Sequence, residues 1–426
     1  MTVLVVGAAV SGRAATRLLH DLGEKVVLYD LDPSAVRGTE ADSVLTGDWE
    51  ASYLEGIELV VTSPGVPEHA PPLVAALEAS LPVWSELELG FRNCKAPVLA
   101  VTGTNGKTTV TEVATAMLVA SGLRAAAAGN IGDPLSALVG GEHEVLVVEA
   151  SSFQLRFVDT FHTPVAVLLN AAPDHLDWHG SVERYFAAKR RILERQDGDD
   201  IVVYDADDAG AVAVVREATA RRVPVSGVRL PEGGWGVDGG MLLAPGVEIP
   251  VEDLARTDAA FLVDLAAAAT AALAIGAHPA GVEAAARAYR PGRHRRQVVA
   301  MLRGVAWVDD SKATNPHAAL AAIDAYESVV LIAGGRAKGL DLSLLPKRPN
   351  LRGVVAIGEA ADDLAAAGEG VVIASDMDEA VAIAKAIAQP GDTVLLAPGC
   401  ASFDMFSSYA DRGDRFATAV ASLEDS

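Results

Sequence analysis

A glycine-rich turn with one lysine offers the clearest chemistry in the sequence. The apolar segment 97–101 leads into Gly103-Thr-Asn-Gly-Lys-Thr-Thr109, and a segment with helical character follows. Small residues let backbone N–H groups surround phosphate oxygens, and the helix N-terminus adds positive potential. In such a turn Lys107 can contact terminal phosphates and Thr108 can bind Mg²⁺. The segment predicts a phosphate-binding loop, although Val101 stands where the common spacing has its first glycine.

Carboxylates and histidines follow two other apolar segments. Glu149 ends the segment 145–148, and Asp174-His-Leu-Asp-Trp-His179 follows the segment 165–169. The carboxyl ends of parallel strands form the ligand-binding edge of an α/β sheet, so both groups are expected beside the phosphate-binding loop. Glu149 is a candidate Mg²⁺ ligand. For 174–179 we favour metal or phosphate binding, and a solvated polar loop is the alternative.

Three loops nearer the C-terminus also combine glycine with lysine, serine or threonine. They span 309–316, 334–339 and 397–404, and each follows an apolar segment typical of a strand. Lysine and hydroxyl groups at helix N-termini bind anions, so three such loops at one sheet edge indicate a ligand site. The basic segment 293–297 precedes them and either binds phosphate or merely marks a boundary.

The elements that position these loops begin at the N-terminus with a Rossmann-like pattern. Segment 3–6 predicts a strand, a turn and helix follow, and segment 26–29 predicts a second strand. Ala9 replaces the second glycine of G-x-G-x-x-G, which weakens the case for a nicotinamide cofactor. Asp30 ends the second strand, where it either binds a ribose or serves as a turn residue.

Alternating strands and helices predict an α/β protein, and 426 residues suffice for two or three domains. We predict three domains: a Rossmann-like N-terminal domain at 1–92, a central P-loop ATPase-type α/β domain at 93–290 and a C-terminal Rossmann-like α/β domain at 291–426. Segment 182–193 predicts an amphipathic helix with three consecutive basic residues at 189–191. Such basic faces are normally solvated, so periodicity alone predicts that Lys189 lies on the surface.

Composition limits the classes of partner and location. The formal charge of −23 argues against nucleic acid and anionic membranes as general partners. Apolar stretches at 260–275 and 380–388 carry charges or are too short for a membrane span, so no membrane insertion is expected. Two cysteines cannot form a disulfide framework, and no signal-peptide pattern opens the chain. We therefore expect a cytoplasmic protein.

Seven sequence blocks together resemble the Mur ligase family over nearly the whole chain. The shortened spacing of the phosphate-binding loop is the pattern of this family. The blocks are Gly103-Thr-Asn-Gly-Lys-Thr-Thr109, Gly129-Asn-Ile-Gly132, Glu149-Ala-Ser-Ser-Phe-Gln154, Asp174-His-Leu-Asp177, Asp310-Ser-Lys-Ala-Thr-Asn-Pro316, Gly334-Gly335 with Lys338-Gly339, and Ala397-Pro-Gly-Cys-Ala-Ser-Phe-Asp404.

The resemblance implies an ATP-dependent amide ligase of cytoplasmic peptidoglycan precursor synthesis. Its expected partners are UDP-N-acetylmuramoyl-L-alanine, D-glutamate and ATP, and the reaction would pass through an acyl phosphate. The three domains would bind the UDP-sugar, ATP and the amino acid in that order. The expected cofactors are ATP and Mg²⁺ at two sites, with Lys189 carbamylated by carbon dioxide. We expect a monomer.

The resemblance also assigns roles to individual residues. The ATP-binding positions are Gly103, Thr104, Asn105, Gly106, Lys107, Thr108, Thr109, His294, Arg295 and Asp310. The UDP-sugar positions are Val10, Ser11, Asp30, Ser63, Pro64, Gly65 and Asn130. The D-glutamate positions are Thr314, Lys338, Ser402, Phe403 and Tyr409. The metal ligands are Thr108, Glu149, His175 and carbamylated Lys189. The catalytic positions are Lys107, His175, Lys189 and Lys312.

Three segments depart from the family pattern. Leu31-Asp32 stands in place of the Thr-Arg of some relatives, and Arg336-Ala337 replaces a commoner acidic element. The His-Asn-x-x-Asn that precedes the central alanine-rich helix is represented by Ala260-Phe261 and Asp264. These residues differ in type from those that make the usual adenine contact of the family.

Three other functions compete with this interpretation. A nicotinamide dehydrogenase is disfavoured by Ala9 and by the phosphate-binding loop. A regulatory nucleotide-binding module would keep Lys107 but would not need Glu149, His175 and Lys189 together. A folylpolyglutamate synthase has a similar central fold but lacks the Rossmann-like first domain.

Overall fold

A computed structural model describes residues 1–423. Contacts between Cα atoms divide the chain into two compact units: residues 1–171 with 178–289, and residues 172–177 with 290–426, of which 424–426 lie outside the described residues. The first unit contains two of the three large sheets. The boundary between residues 92 and 93 stays a prediction.

The first sheet of the first unit is parallel, with five strands in the order β3-β2-β1-β4-β5. The strands are β1 (Thr2–Val6), β2 (Lys25–Asp30), β3 (Ser43–Thr46), β4 (Leu59–Thr62) and β5 (Val83–Ser85). The helices are α1 (Val10–Asp21), α2 (Pro71–Glu78) and α3 (Glu86–Asn93). The strand order reverses between β1 and β4, which is where open α/β sheets bind ligands.

The turns after β1 and β4 meet at this reversal. Ser63 Oγ donates to the carbonyl oxygen of Gly7 at 3.1 Å. A Cβ atom on Gly12 would lie 1.7 Å from the same carbonyl oxygen, so only glycine permits this approach of α1 to the turn. The Rossmann-like expectation for this segment agrees with the observed sheet.

The second sheet has six parallel strands in the order β11-β10-β9-β6-β8-β7. These strands are β6 (Val98–Thr102), β7 (Ala125–Gly129), β8 (Val145–Glu149), β9 (Val165–Leu168), β10 (Ile201–Asp205) and β11 (Arg221–Val225). A small antiparallel sheet contains β12 (Gly236–Asp238), β13 (Met241–Ala244) and β14 (Val247–Pro250). The helices are α4 (Lys107–Ala120), α5 (Leu135–Leu138), α6 (Ser152–Leu155), α7 (Leu176–His179), α8 (Val182–Arg190), α9 (Ala209–Val215), α10 (Ala259–Ala274) and α11 (Pro279–Ala288).

Continuous apolar strands explain why this second sheet is buried on both faces. Strands β6, β8 and β9 are buried along their whole length. One face packs against α4 and the alanine-rich α10, and the small alanine side chains let these two helices lie close together. The phosphate-binding loop follows β6 near the centre of this layered core.

The second unit contains a six-stranded sheet in the order β15-β16-β20-β17-β18-β19, parallel except for β15. The strands are β15 (Gln297–Leu302), β16 (Val305–Asp309), β17 (Val329–Gly334), β18 (Leu351–Ile357), β19 (Val372–Ile373) and β20 (Thr393–Leu396). The helices are α12 (Pro316–Ile323), α13 (Ala361–Ala367), α14 (Met377–Ile387) and α15 (Tyr409–Ala421). The α/β fold class is confirmed. Within residues 1–423, none of the helices has the length and apolar character needed to cross a bilayer.

Two fully buried glutamates on α3 join the two sheets of the first unit. Glu88 accepts five hydrogen bonds at 2.7–3.1 Å: three from the backbone N–H groups of residues 159–161, one from Thr160 Oγ1 and one from Arg92. Glu86 accepts from the N–H of Ser136 at 2.7 Å through Oε1, while its Oε2 is buried without a hydrogen-bond partner. Burial raises the pKa of the Glu86 carboxyl.

We expect Glu86→Gln to stabilise the protein increasingly as the pH rises. Above the ordinary carboxyl pKa of 4.5, the unfolded chain releases this proton while the folded chain retains it, so stability falls with pH. Glutamine does not titrate, so the variant does not lose stability in this way as the pH rises. Thermal unfolding measured from about pH 4.5 to about pH 8 checks this. The melting temperature of the variant minus that of the wild type should increase with pH.

Glu88→Gln is the matched comparison on the same helix. Its amide NH₂ would face groups that are themselves donors, so we expect a loss of ~3 kcal/mol in the free energy of unfolding. Denaturant unfolding measures this loss. Equal effects of the two substitutions would contradict the assignment of different environments to the two carboxylates.

Candidate active site

The phosphate-binding loop joins the end of β6 to the start of α4, as the sequence predicts. Gly106 caps α4 with a φ of +81°, and a Cβ atom there would lie 2.3 Å from Asp264 Oδ1, so the position requires glycine. The Nζ atom of Lys107 donates to the carbonyl oxygens of Gly103 and Thr104, both at 2.9 Å. The lysine therefore lies along the loop that would hold the phosphates.

Asn170, which the sequence analysis did not identify, fixes the shape of this loop. It follows β9, the neighbour of β6 in the sheet. Its Oδ1 accepts from the N–H of Asn105 at 2.8 Å, and its backbone carbonyl accepts from the N–H of Thr104 at 3.1 Å. Its position directly after a predicted strand was the available signal, since the carboxyl ends of adjacent parallel strands meet at one edge.

Glu149 reaches the same edge from β8 on the other side of β6, where it pairs in register with Val101. Its side chain is buried, and Oε1 accepts from Asn130 Nδ2 at 2.8 Å. The Oε2 atom is buried without a hydrogen-bond partner. A buried carboxylate oxygen with no donor fits a cation, because the charge would otherwise be poorly compensated. Asn130, expected at the UDP-sugar, thus lies beside the candidate metal ligand.

Lys189 corrects the expectation from periodicity, because it is 1 % exposed rather than solvated. Its Nζ donates to the carbonyl oxygen of Gly103 at 2.6 Å and lies 4.6 Å from the centre of the Tyr185 ring. The side of α8 that carries Tyr185, Ala188 and Lys189 is buried, while the side chain of Arg190 is 52 % exposed. Three consecutive basic residues therefore point in different directions.

The predicted UDP-sugar residues lie mainly on the two turns of the first sheet. Asp30 Oδ2 accepts from the N–H of Ala8 at 2.7 Å, and Oδ1 accepts from the N–H of Asp32 at 2.9 Å, so the residue stabilises the turns after β1 and β2. Val10 is 71 % exposed at the start of α1, beside Ser11. Gly65 follows in the exposed part of the second turn. A small cavity in this unit is lined by Ser63, Pro64, Phe153, Gln154, Phe157 and Trp178.

In the second unit, Asp174 and Lys338 form a buried ion pair. Lys338 Nζ lies 2.7 Å from Asp174 Oδ1, and Asn315 Nδ2 donates to Oδ2 at 3.0 Å. Burial alone would raise the pKa of Asp174, but His175 and Lys338 hold that pKa below its ordinary value. His175 has a φ of +52°, a left-handed conformation that is uncommon outside glycine. Segment 174–175 thus lies with the predicted D-glutamate residue Lys338.

Other predicted residues of this unit lie on the loops after β16 and β20. Lys312 Nζ lies 3.9 Å from the centre of the Tyr409 ring. The backbone N–H of Arg296 donates to Asp310 Oδ1 at 3.1 Å, and His294 Nδ1 lies 2.6 Å from Asp309 Oδ2. The remaining predicted residues differ in exposure: Ser402 is buried, Thr314 and Arg295 are half-buried, and Phe403 is 67 % exposed.

Arg412 is a second residue that the sequence analysis missed. It is fully buried on α15, and its guanidinium donates to Ser311 Oγ, to the carbonyl of Ser311 and to the carbonyl of Cys400 at 2.9–3.1 Å. Burial lowers its pKa to about 10 and raises the pKa of the Cys400 thiol to about 12. Arg412 therefore joins the loops at 309–316 and 397–404.

The described residues do not include a group of three His, Cys, Asp or Glu side chains placed to hold a metal ion. Glu149 belongs to the first unit and His175 to the second. Mg²⁺ sites commonly use one or two carboxylates and complete their coordination with water and substrate phosphates. Thr108 and Glu149 in the first unit are compatible with such a site.

Two family models match the chain: "Mur ligase middle domain" over residues 101–231 and "Mur ligase, glutamate ligase domain" over residues 294–400. Among solved structures, a pseudomurein peptide ligase type C from Methanothermus fervidus matches with a TM-score of 0.62, 15 % identity and 99 % coverage of both chains. The MurF ligase of Thermotoga maritima in complex with ADP matches with a TM-score of 0.60, 18 % identity, and coverage of 99 % of this chain and 95 % of that one. The similarity to these structures supports the multidomain α/β fold of this chain.

Curated relatives extend the match along the whole chain. A protein from Frankia casuarinae is 45 % identical and covers 100 % of this chain and 94 % of its own length. A protein from Streptomyces avermitilis is 43 % identical, and the match covers 99 % of this chain and 98 % of that protein. Both are named UDP-N-acetylmuramoylalanine--D-glutamate ligase. From this similarity along the entire length, the chain belongs to the Mur ligase family.

Proposed function

We propose that the protein is an ATP-dependent amide ligase that joins D-glutamate to UDP-N-acetylmuramoyl-L-alanine in peptidoglycan precursor synthesis. The observation that carries this proposal is the match of the entire chain to relatives that bear the name of this ligase. The phosphate-binding loop with Lys107, Glu149 and Lys189 around it supports the ATP-dependent step. We further propose that the protein acts as a monomer in the cytoplasm.

Amide formation requires activation because a carboxylate is a poor electrophile. In the proposed reaction the alanyl carboxylate attacks the γ-phosphorus of ATP, and ADP leaves. The amine of D-glutamate then attacks the carbonyl carbon of the acyl phosphate, loses a proton and displaces inorganic phosphate. Lys107 would exchange its bonds to the loop carbonyls for bonds to phosphate oxygens and stabilise the charge on the transferring group.

Thr108 and Glu149 are proposed to hold Mg²⁺ beside the loop, with His175 and carbamylated Lys189 as the further ligands of a two-site arrangement. Bound Mg²⁺ would screen the repulsion between the anionic reactants. Glu149 supports this proposal through its buried Oε2. Thr108 supports it through its position in the first turn of α4.

The environment of Lys189 supports carbamylation. Burial disfavours the charged form of an amine, and the neutral amine is the nucleophile that adds to carbon dioxide. A neutral amine can still donate one N–H to the carbonyl of Gly103, while its lone pair forms the new N–C bond and the second proton leaves. The product is an anion, which replaces the ammonium by a group suited to a cation.

Binding of D-glutamate is proposed at Lys338, Thr314, Ser402, Phe403 and Tyr409, with His294, Arg295 and Asp310 near the nucleotide. Lys338 can bind a substrate carboxylate with the N–H groups that it does not direct at Asp174, since an ammonium group has three donors. Val10, Ser11, Asp30, the turn at 63–65 and Asn130 are proposed at the UDP-sugar. Lys312 completes the proposed catalytic set.

The first test measures phosphate release from ATP in the presence of UDP-N-acetylmuramoyl-L-alanine. D-Glutamate should support release, whereas L-glutamate, L-lysine and meso-diaminopimelate should not. Release with a different amino acid would retain the ligase mechanism and refute the proposed substrate. No release with any amino acid would favour a binding module over an enzyme.

Lys107→Ala should reduce the rate of phosphoryl transfer strongly and leave binding of the UDP-sugar intact. Loss of one charge-stabilising donor in a water-excluded site typically costs about 10²–10³-fold in rate, and we expect a loss at the upper end. Phosphate release measures the rate, and calorimetry measures binding of UDP-N-acetylmuramoyl-L-alanine. Exposed Lys25 provides the matched control, because Lys25→Ala should change neither quantity. Loss of UDP-sugar binding in Lys107→Ala would contradict the division of roles.

Lys189→Arg should remove both activity and the carbamate, because a guanidinium stays protonated at neutral pH and does not add carbon dioxide. After incubation with ¹³C-labelled bicarbonate, the wild-type protein should show a carbamate carbon resonance that is absent from the variant. Retention of the resonance in Lys189→Arg would assign the modification to another amine. An active wild-type enzyme without the resonance would refute carbamylation.

A further inference from the structure

His179 is a buried histidine to which the proposed mechanism gives no role. It ends α7 and is 1 % exposed. Its Nε2 lies 2.9 Å from Ser152 Oγ, and its ring stacks on Phe153 with a centroid distance of 5.6 Å and an interplanar angle of 9°. The hydrogen bond to Ser152 and the stacking on Phe153 hold the ring against α6.

The imidazole also contacts the ring of Tyr185. The two ring centroids are 5.3 Å apart in an edge-to-face arrangement with an interplanar angle of 67°. The hydroxyl of Tyr185 is hydrogen bonded to Thr104 Oγ1 at 3.0 Å, and the Tyr185 ring lies against Lys189 Nζ at 4.6 Å. Tyr185 thus contacts two groups of the phosphate-binding site, and His179 supports its ring.

We propose that His179 is a positioning residue for the ligase reaction: it fixes the ring of Tyr185 and, through it, the places of Thr104 and Lys189. The inference rests on the proposed function, because its effect appears in the rate of that reaction. Without the imidazole, the Tyr185 ring gains room to move, and its hydroxyl and its contact with Lys189 move with it.

The presence of a histidine at position 179, rather than an apolar residue, favours a positioning role over a role in packing alone. Burying a polar ring is unfavourable unless its nitrogen atoms are bonded, so an apolar ring would fill the volume at lower cost. The bond to Ser152 offsets part of this cost and sets the ring orientation that Tyr185 meets edge-on. A misplacement of a reacting group by about 1 Å can cost a hundredfold in rate.

The test is a double-mutant cycle between His179→Phe and Tyr185→Phe. The first substitution keeps an aromatic ring but removes the bond to Ser152, and the second removes the bond to Thr104. We expect His179→Phe to lower kcat about tenfold, with each KM within about twofold of the wild type. In the Tyr185→Phe background it should lower kcat by clearly less than tenfold, because the part of its effect that acts through the Thr104 bond is already lost, while the ring contact with Lys189 remains.

His162→Phe is the matched control in the same unit, since His162 Nε2 also bonds one partner, Asp200 Oδ2, at 2.8 Å. It should leave kcat unchanged. If His179→Phe does not fold, His179→Gln keeps a donor toward Ser152 and lacks the ring, and it should show the same loss and the same coupling. Unchanged kcat, or losses that multiply in the double variant, would overturn the inference. An inactive wild-type protein would instead refute the proposed function.

Discussion

Two lysine side chains donate to one backbone carbonyl oxygen in the phosphate-binding loop. The site depends on compensating the positive charge of these two neighbouring amines. Lys107 and Lys189 both donate to the carbonyl of Gly103, at 2.9 and 2.6 Å. Two like charges this close to one acceptor repel each other, and burial strengthens the repulsion. A neutral amine or a neighbouring anion would relieve it, which fits the phosphate ligand and the Lys189 carbamate proposed above.

The sequence predicted the parts of this site that depend on local pattern. Small residues between an apolar segment and a helix locate the loop at 103–106, and Glu149 is recognisable because it ends a neighbouring strand. The Rossmann-like opening follows from the same alternation of strand and helix. These features are set by residues close together in the chain, which is why spacing alone reveals them.

The rest depends on contacts between distant residues. The burial of Lys189 results from packing of α8 against a loop more than 80 positions earlier, so the basic composition of 189–191 gave the wrong expectation. Asn170 and Arg412 act through backbone groups of other loops. Periodicity does not reveal such partners. The family resemblance predicted a role for Lys189, but the contacts of His179 and Arg412 became visible only in three dimensions.

The buried carboxylate of Glu88 also bears on how far the protein can be divided. Its carboxylate oxygens accept hydrogen bonds from the backbone N–H groups of residues 159–161, which belong to the connection between α6 and β9. A fragment that began at residue 93 would leave those three donors buried without acceptors and would expose the apolar surface under α3. The region of the second sheet is therefore not expected to fold as a separate fragment, because the segment that precedes it supplies part of its interior.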